Sequence, residues 1–175
     1  MPTSIAQQPD VSEYAPYYEK YVSRFPGGDV AEILTRQLDE TIALFAGISE
    51  SKGMYRYAPE KWSIKEVLGH MIDGERIFGY RVLRFARNDA TPIEGFDQND
   101  YVSNGAFDRI PLNDLVEEFT LVRRANIHLF RHMDDEGWKR GGVASGYPVT
   151  VRALARIIAG HEIHHREVIR DRYLS

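Results

Sequence analysis

Thr150-Val151-Arg152-Ala153-Leu154-Ala155-Arg156-Ile157-Ile158-Ala159-Gly160-His161-Glu162-Ile163-His164-His165-Arg166-Glu167-Val168 decides how this chain is built. Val151, Leu154, Ile158, His161, His165 and Val168 recur at alternating steps of three and four. That is the seam of a helix packed inside a bundle. Thr150 suits the N-cap, and the pattern predicts a helix from there to about Tyr173. Two seam positions are histidines. On a helix, residues i and i+4 lie about 40° apart on one face, one turn above the other. His161 and His165 can therefore aim two imidazoles at one point. Two imidazoles in place of Leu or Ile are costly unless the rings have partners. A metal ion satisfies both at once, and hydrogen bonds to carboxylates or backbone carbonyls are the other solution.

Working outward, three more segments carry the same period. Val30, Ile33, Leu34, Leu38, Ile42, Phe45 and Ile48 form one face after the Pro26-Gly27-Gly28 break, with Asp29 as N-cap. Ser63-Ile64-Lys65-Glu66 is a capping box that opens a second helix, fraying near Asn88-Asp89. Pro111 suits the first position of a third, which Asp134-Asp135-Glu136-Gly137 ends. Four long helices without an alternating strand pattern predict an all-α fold, a four-helix bundle. Two connections are long, Asp89 to Ile110 and the stretch between the third and fourth helices, and loops of that length often sit over a site. Residues 1–26, with Tyr14, Tyr17, Tyr18 and Tyr21, read as an arm or short helix packed on the bundle.

Composition narrows the chemistry. The 175 residues, 43% hydrophobic and 27% charged, suit one domain, 1–175. There is no cysteine, which excludes a disulfide scaffold, a thiolate metal site and a thiol nucleophile. Any metal must rest on His, Asp or Glu. Twenty-two basic against 26 acidic residues leave no electrostatic footprint for nucleic acid. Arg123-Arg124 and Lys139-Arg140 read as solvated faces. Met1 to Asp10 lacks the basic start and apolar run of a secretory signal, and no stretch approaches the ~18 apolar residues of a membrane span. The expectation is a cytoplasmic protein with no membrane or nucleic-acid partner.

Six histidines then become the residues to sort. His161-Glu162-Ile163-His164-His165 matches H-E-x-x-H, in which two His bind zinc and the Glu activates water. The peptidase reading lacks a downstream third ligand: no His follows His165, and Asp171 is turned off the His161/His165 face. His128 and His132 stand among Arg131 and Asp134 and read as solvated. His70 sits one turn after Val67 at the edge of the apolar stripe, beside Gly74, whose missing side chain leaves room. That suits a third ligand near the mouth of the bundle, although taken alone His70 reads as an ordinary boundary histidine.

Trp62-Ser63-Ile64-Lys65-Glu66-Val67-Leu68-Gly69-His70-Met71-Ile72-Asp73 with Glu75-Arg76-Ile77-Phe78, then Phe96-Asp97 with Asp100-Tyr101, then Ala159 to His165 closing with Arg172-Tyr173-Leu174, resemble the DinB/YfiT-like family of bacterial proteins in the same order, from about Tyr17 to Leu174. The resemblance implies an up-down-down-up four-helix bundle, a homodimer, and a metal site of one His on helix 2 and an H-x-x-x-H pair on helix 4. Carried onto this chain, those ligands are His70, His161 and His165. Members include enzymes that look like thiol S-transferases using bacillithiol, mycothiol or glutathione, a maleylpyruvate isomerase branch, and proteins loosely termed metal-dependent hydrolases.

Three neutral imidazoles suit a divalent Zn, Ni, Fe or Mn with an open position. There the cation makes hydroxide from water or thiolate from a low-molecular-weight thiol, for hydrolysis or S-transfer on a small-molecule substrate. The catalytic residues stay unknown. Asp73 and Glu162 are candidates for orienting an imidazole or taking a proton, and Glu162 alternatively faces solvent or a dimer partner. Arg76, Arg81 and Arg166 are candidates for a cofactor's carboxylates, or surface ion pairs. Tyr101 and Trp138 either line the pocket or pack on the bundle end. The alternative function is a non-catalytic, dimeric stress protein with a structural metal or a bound small ligand.

Overall fold

Helix-start chemistry sets where the long helices begin in the computed structural model, which describes residues 8–175. The arm makes two 3-10 turns, Val11–Glu13 and Pro16–Tyr18, and a short helix α1 (Glu19–Val22). Helix α2 (Val30–Ala46) starts where the Asp29 carboxylate accepts the Glu32 amide. After α3 (Glu50–Gly53), helix α4 (Ile64–Ala86) opens on the predicted capping box. The Glu66 carboxylate accepts from the Ser63 amide at 2.8 Å and the Ser63 hydroxyl accepts from the Glu66 amide at 3.1 Å. Helices α5 (Gln98–Gly105), α6 (Leu112–Arg131) and α7 (Asp135–Lys139) follow. A hairpin of β1 (Gly141–Ala144) and β2 (Tyr147–Thr150) leads into α8 (Val151–Val168), capped by Thr150, which loosens into a π-helical turn at Ile169–Tyr173.

Side-chain pairings give the directions of the four long helices. Gln37 reaches the Ala159 carbonyl and Thr41 reaches Glu162, so α2 and α8 run parallel. Arg76 pairs with Glu118 and Gly79 abuts Asn126, so α4 and α6 run parallel as well. Trp62 meets Tyr173 while Phe78 meets His161, which makes α4 and α8 antiparallel. Arg123 meets Gln37 while Phe130 packs with Val30, which makes α2 and α6 antiparallel. The order is up-down-down-up. The first long crossover returns the chain between the parallel neighbours α4 and α6, and the second carries it from α6 to the antiparallel α8.

The apolar core is split in two. One cluster gathers Val30, Leu34, Val82, Phe85, Ile127, Phe130, Leu154 and Ile158 with Tyr14, Tyr21 and Val22 of the arm. The other gathers Leu38, Ile64, Leu68, Ile72, Leu115, Phe119 and Ile169. Between them lies a polar layer of Gln37, Thr41, His70, Glu75, Arg123, Asn126, His161, Glu162 and His165, every one buried.

Several sequence expectations change. Both crossovers hold regular structure: α5 interrupts the first, and α7 with the hairpin fills the second. Four-residue strands are too short to display an alternating pattern. The crossovers are also tied together, since Ile93 pairs with Ala144 in an isolated bridge. Pro111 is the N-cap of α6 and not its first residue, and Asp134 caps α7 after α6 has already ended. Arg123 is not on a solvated face, being wholly buried with ion pairs to Glu75 and Glu162. Trp138 lines no pocket at the triad, because it stacks on Phe130 at 5.5 Å within the first core cluster. The arm packs on the bundle as expected, with Tyr14, Tyr21, Val22 and Phe25 buried. Its residues 1–7 lie outside the described residues.

Candidate metal centre

Helix α4 supplies His70, and α8 supplies His161 and His165 one turn apart. Because the two helices are antiparallel neighbours, their seams face each other and the three rings converge. His70 Nε2 lies 3.0 Å from His161 Nε2, and His165 Nε2 lies 3.2 Å from the same atom. One potential ligand atom from each of the three falls within 4.8 Å of the others. Nitrogens bound tetrahedrally to an ion at about 2.0–2.1 Å would stand roughly 3.3 Å apart. The spacing therefore fits a common ion, and three Nε2 atoms aimed at one another cannot all be satisfied by hydrogen bonds among themselves.

Close packing fixes the rings. A Cβ at Gly74 would come within 2.9 Å of His161 Cε1. Glycine at this position lets the imidazole approach α4 this closely. Gly160 serves the other side, since a Cβ there would strike the Tyr21 carbonyl oxygen at 1.9 Å. That approach seats the arm on α8, and Tyr21 then packs edge-on against His161 at 5.2 Å. Phe78 covers the same ring at 5.7 Å and Trp62 covers His70 at 4.9 Å.

Burial sets the protonation. It pushes His70 down to about 4, and His161 and His165 well below the usual imidazole range, with the neighbouring histidines adding to the effect. All three are neutral near pH 7, the form in which imidazole binds a metal. His70 is 5% exposed, so it stands inside the packed face and not at its edge, as periodicity suggested. The triad still reaches space. A cavity of about 310 Å³ touches His70 and His161 and is walled by Tyr17, Tyr18, Tyr21, Phe78, Phe96 and Ser145. A second, of about 330 Å³, touches His165 and is walled by Trp62, His164 and Tyr173, and Asn99 lines both.

The other expected participants are placed as follows. His128 and His132 are exposed on and just beyond α6. His164 is half-buried, with its ring against Tyr21 at 5.6 Å. Glu162 turns away from the triad into the bundle, neither to solvent nor to a dimer face. It accepts from Thr41 and pairs with Arg123 and Arg166, and burial pushes its carboxyl up against the pull of those cations. Asp73 is half-buried, its carboxyl pushed up by desolvation. Arg76 pairs with Glu118 at the surface, and Arg166 pairs with Glu40 on α2. Tyr101 packs at a tilt against Phe96, 5.1 Å between ring centres, in a neighbouring cavity with Arg81. Sequence reasoning missed the Glu75–Arg123–Glu162 ion network. Its only signal was a glutamate and an arginine at helix positions that continue the apolar faces.

Comparison with known proteins agrees with this geometry. A family model described as the DinB superfamily matches residues 33–169. No curated protein matched. Among solved structures, YfiT from Bacillus subtilis, described as a probable metal-dependent hydrolase with an unusual four-helix bundle topology, is 16% identical and superposes with a TM-score of 0.68 over 94% of this chain and 92% of its own. With the up-down-down-up bundle and a family match spanning all four long helices, the chain belongs to the DinB superfamily.

Proposed function

We propose that this protein is a metal-dependent enzyme in which His70, His161 and His165 hold a divalent Zn, Ni, Fe or Mn ion that activates a small thiol or water. The observation that carries the proposal is the convergence of three buried, neutral Nε2 donors at a point flanked by two cavities. A bound cation in such a site lowers the pKa of a ligand in its open position, giving hydroxide or thiolate at neutral pH. The chain's own residues do the rest. Gly74, Tyr21 and Phe78 hold the His161 ring in place. The aromatic wall excludes water and orients a substrate. Asp73, the half-buried acid one turn from His70 whose carboxyl is pushed up by desolvation, is the candidate on α4 for taking up a proton. Two cavities meeting at one triad suit a reaction of two components, which supports S-transfer from a diffusible thiol over hydrolysis. With no cysteine in the chain, any thiol must come from outside.

The test is elemental analysis of tag-free protein and of His161→Ala. The expected result is one equivalent of metal in the wild type and loss of it in the variant. No stoichiometric metal after incubation with zinc, nickel and manganese overturns the proposal. A screen of low-molecular-weight thiols against a chlorinated aromatic electrophile then separates transferase from hydrolase. Because the triad ties α4 to α8 across the split core, a structural metal in a non-catalytic protein is the second reading. It predicts a large fall in melting temperature on chelation and no exchangeable water. Homodimerisation belongs to the same family-based reading and is checked by light scattering.

A further inference from the structure

Among the buried arginines, Arg81 differs from Arg123 and Arg166. It is 1% exposed, yet no carboxylate of the described residues pairs with it. Arg123 has Glu75 and Glu162, and Arg166 has Glu40 and Glu162. Arg81 has only neutral oxygens. Its guanidinium donates to Ser145 Oγ at 2.9 Å, and at longer range to the Tyr18 hydroxyl at 3.4 Å and the Glu94 carbonyl at 3.5 Å. Its buried Nε has no hydrogen-bond partner, as is also true of Arg123 Nε. A guanidinium taken out of water without a counter-charge is costly, and an anionic ligand would supply that charge.

Its place supplies the reason. His70, Gly74, Phe78 and Arg81 follow one face of α4, with Arg81 eleven residues beyond His70 and about 20° from it around the axis. The two therefore mark opposite ends of one stripe, separated by roughly 16 Å measured at Cα. Tyr18 and Ser145, the two hydroxyl partners of Arg81, line the same cavity as His70 and His161, while Arg81 itself lines the adjoining cavity of about 360 Å³, with Phe96 common to both. Ser145 is held there with φ at 54°, a left-handed conformation uncommon for serine, in the β1–β2 turn. The turn is pinned where the Ser145 amide donates to the Ile93 carbonyl at 3.0 Å. One carboxylate, that of Asp97, also lines this cavity, but it accepts the Asn99 and Asp100 amides at the start of α5.

We propose that Arg81, standing behind Tyr18 and Ser145 where the triad cavity meets its neighbour, forms with them an anion-binding site, and that the small molecule bound there carries a carboxylate on a flat apolar body. The planar fork of arginine matches a carboxylate, and the aromatic wall between the two ends matches the body. That the other end of the molecule reacts at the triad rests on the metal reading above; the anion subsite does not.

The test is an NMR titration of the full ¹⁵N-labelled chain with benzoate and with its neutral analogue benzamide, on chelator-treated and on zinc-supplemented protein. Benzoate shifts the Ser145 and Gly146 amides without added metal and binds about tenfold or more tighter than benzamide, the scale of a charge-assisted hydrogen bond. Arg81→Met keeps the buried stem, removes the charge and brings the two probes within about twofold of each other. Should Arg81→Met fail to fold, Tyr18→Phe carries the test, with a several-fold loss for benzoate and none for benzamide. Equal binding of the two probes by the wild type, or an undiminished preference in Arg81→Met, overturns the subsite. So does a benzoate response confined to zinc-loaded protein, because the ion then takes the carboxylate. Elemental analysis of the same samples reports on the metal reading separately: a carboxylate preference without metal refutes only that reading, and metal without a preference refutes only the subsite.

Discussion

Replacing Gly74 with alanine should weaken metal binding while leaving the fold intact. Built on this backbone, the new methyl group meets His161 Cε1 at 2.9 Å and Nδ1 at 3.3 Å. Carbon atoms rest at about 3.5–4.0 Å, so the ring must retreat by roughly 0.6–1 Å. It has little room, since Tyr21 and Phe78 close it off at 5.2 and 5.7 Å between ring centres. Metal–nitrogen distances tolerate about 0.2 Å, so a retreat of that size takes Nε2 out of position. Changes around metal ligands typically cost 10–100-fold in affinity, and the expected loss for Gly74→Ala is about tenfold or more. Stability moves differently. Alanine in a helix interior gains roughly 0.5–1 kcal/mol over glycine, which offsets the local clash. The metal-free variant should melt within about 4 °C of the wild type, the shift that ~1 kcal/mol produces in a domain this size. The assay is chelator competition for zinc, paired with a melting curve in EDTA. Zinc affinity within twofold of the wild type, with the melting curve unchanged, would refute the reasoning that the glycine makes room for the ligand.

Three further outcomes are expected. Arg123→Met strands Glu75 and Glu162 in the core, and breaking a buried pair in this way costs about 3–5 kcal/mol; urea unfolding that shows a loss below about 1 kcal/mol would contradict the network's role. For metal-free protein, the folded state holds His70 at about 4 against 6.5 when unfolded, so the unfolded state binds more protons between those values. Stability is then fully present above pH 6.5 and falls on acidification towards pH 4, by roughly 3 kcal/mol from His70 alone, and a pH series of denaturant midpoints that stays flat over this range would exclude it. Gly160→Ala sets a methyl against the Tyr21 carbonyl and should unseat the arm, so that limited proteolysis cuts between Val22 and Asp29 sooner than in the wild type.

Much of the bundle was legible because its signals are local. The caps at Asp29, Ser63 and Thr150 each need only three residues, and each holds. The His161/His165 pair was legible from helix period alone. His70 was legible only in part. Its period put it at the boundary of the stripe, and it is the antiparallel pairing of α4 with α8, with the arm laid over Gly160, that buries it. Helix α5 escaped notice because only Val102 of it is buried, which leaves no stripe. Arg123 read as solvated because a charge on a helix gives no sign of its direction until Glu75 of a neighbouring helix meets it.

By itself the sequence determined that the chain is helical, where its long helices start, and that any metal must rest on nitrogen or carboxylate ligands, since periodicity, capping and residue inventory are properties of the chain alone. Tertiary structure decided which helices run parallel, that three histidines from two helices meet at one buried point, that Glu162 serves a buried ion network, and that Arg81 stands beside the same cavity without a counter-charge. Those facts depend on distances between residues tens of positions apart, which only packing sets.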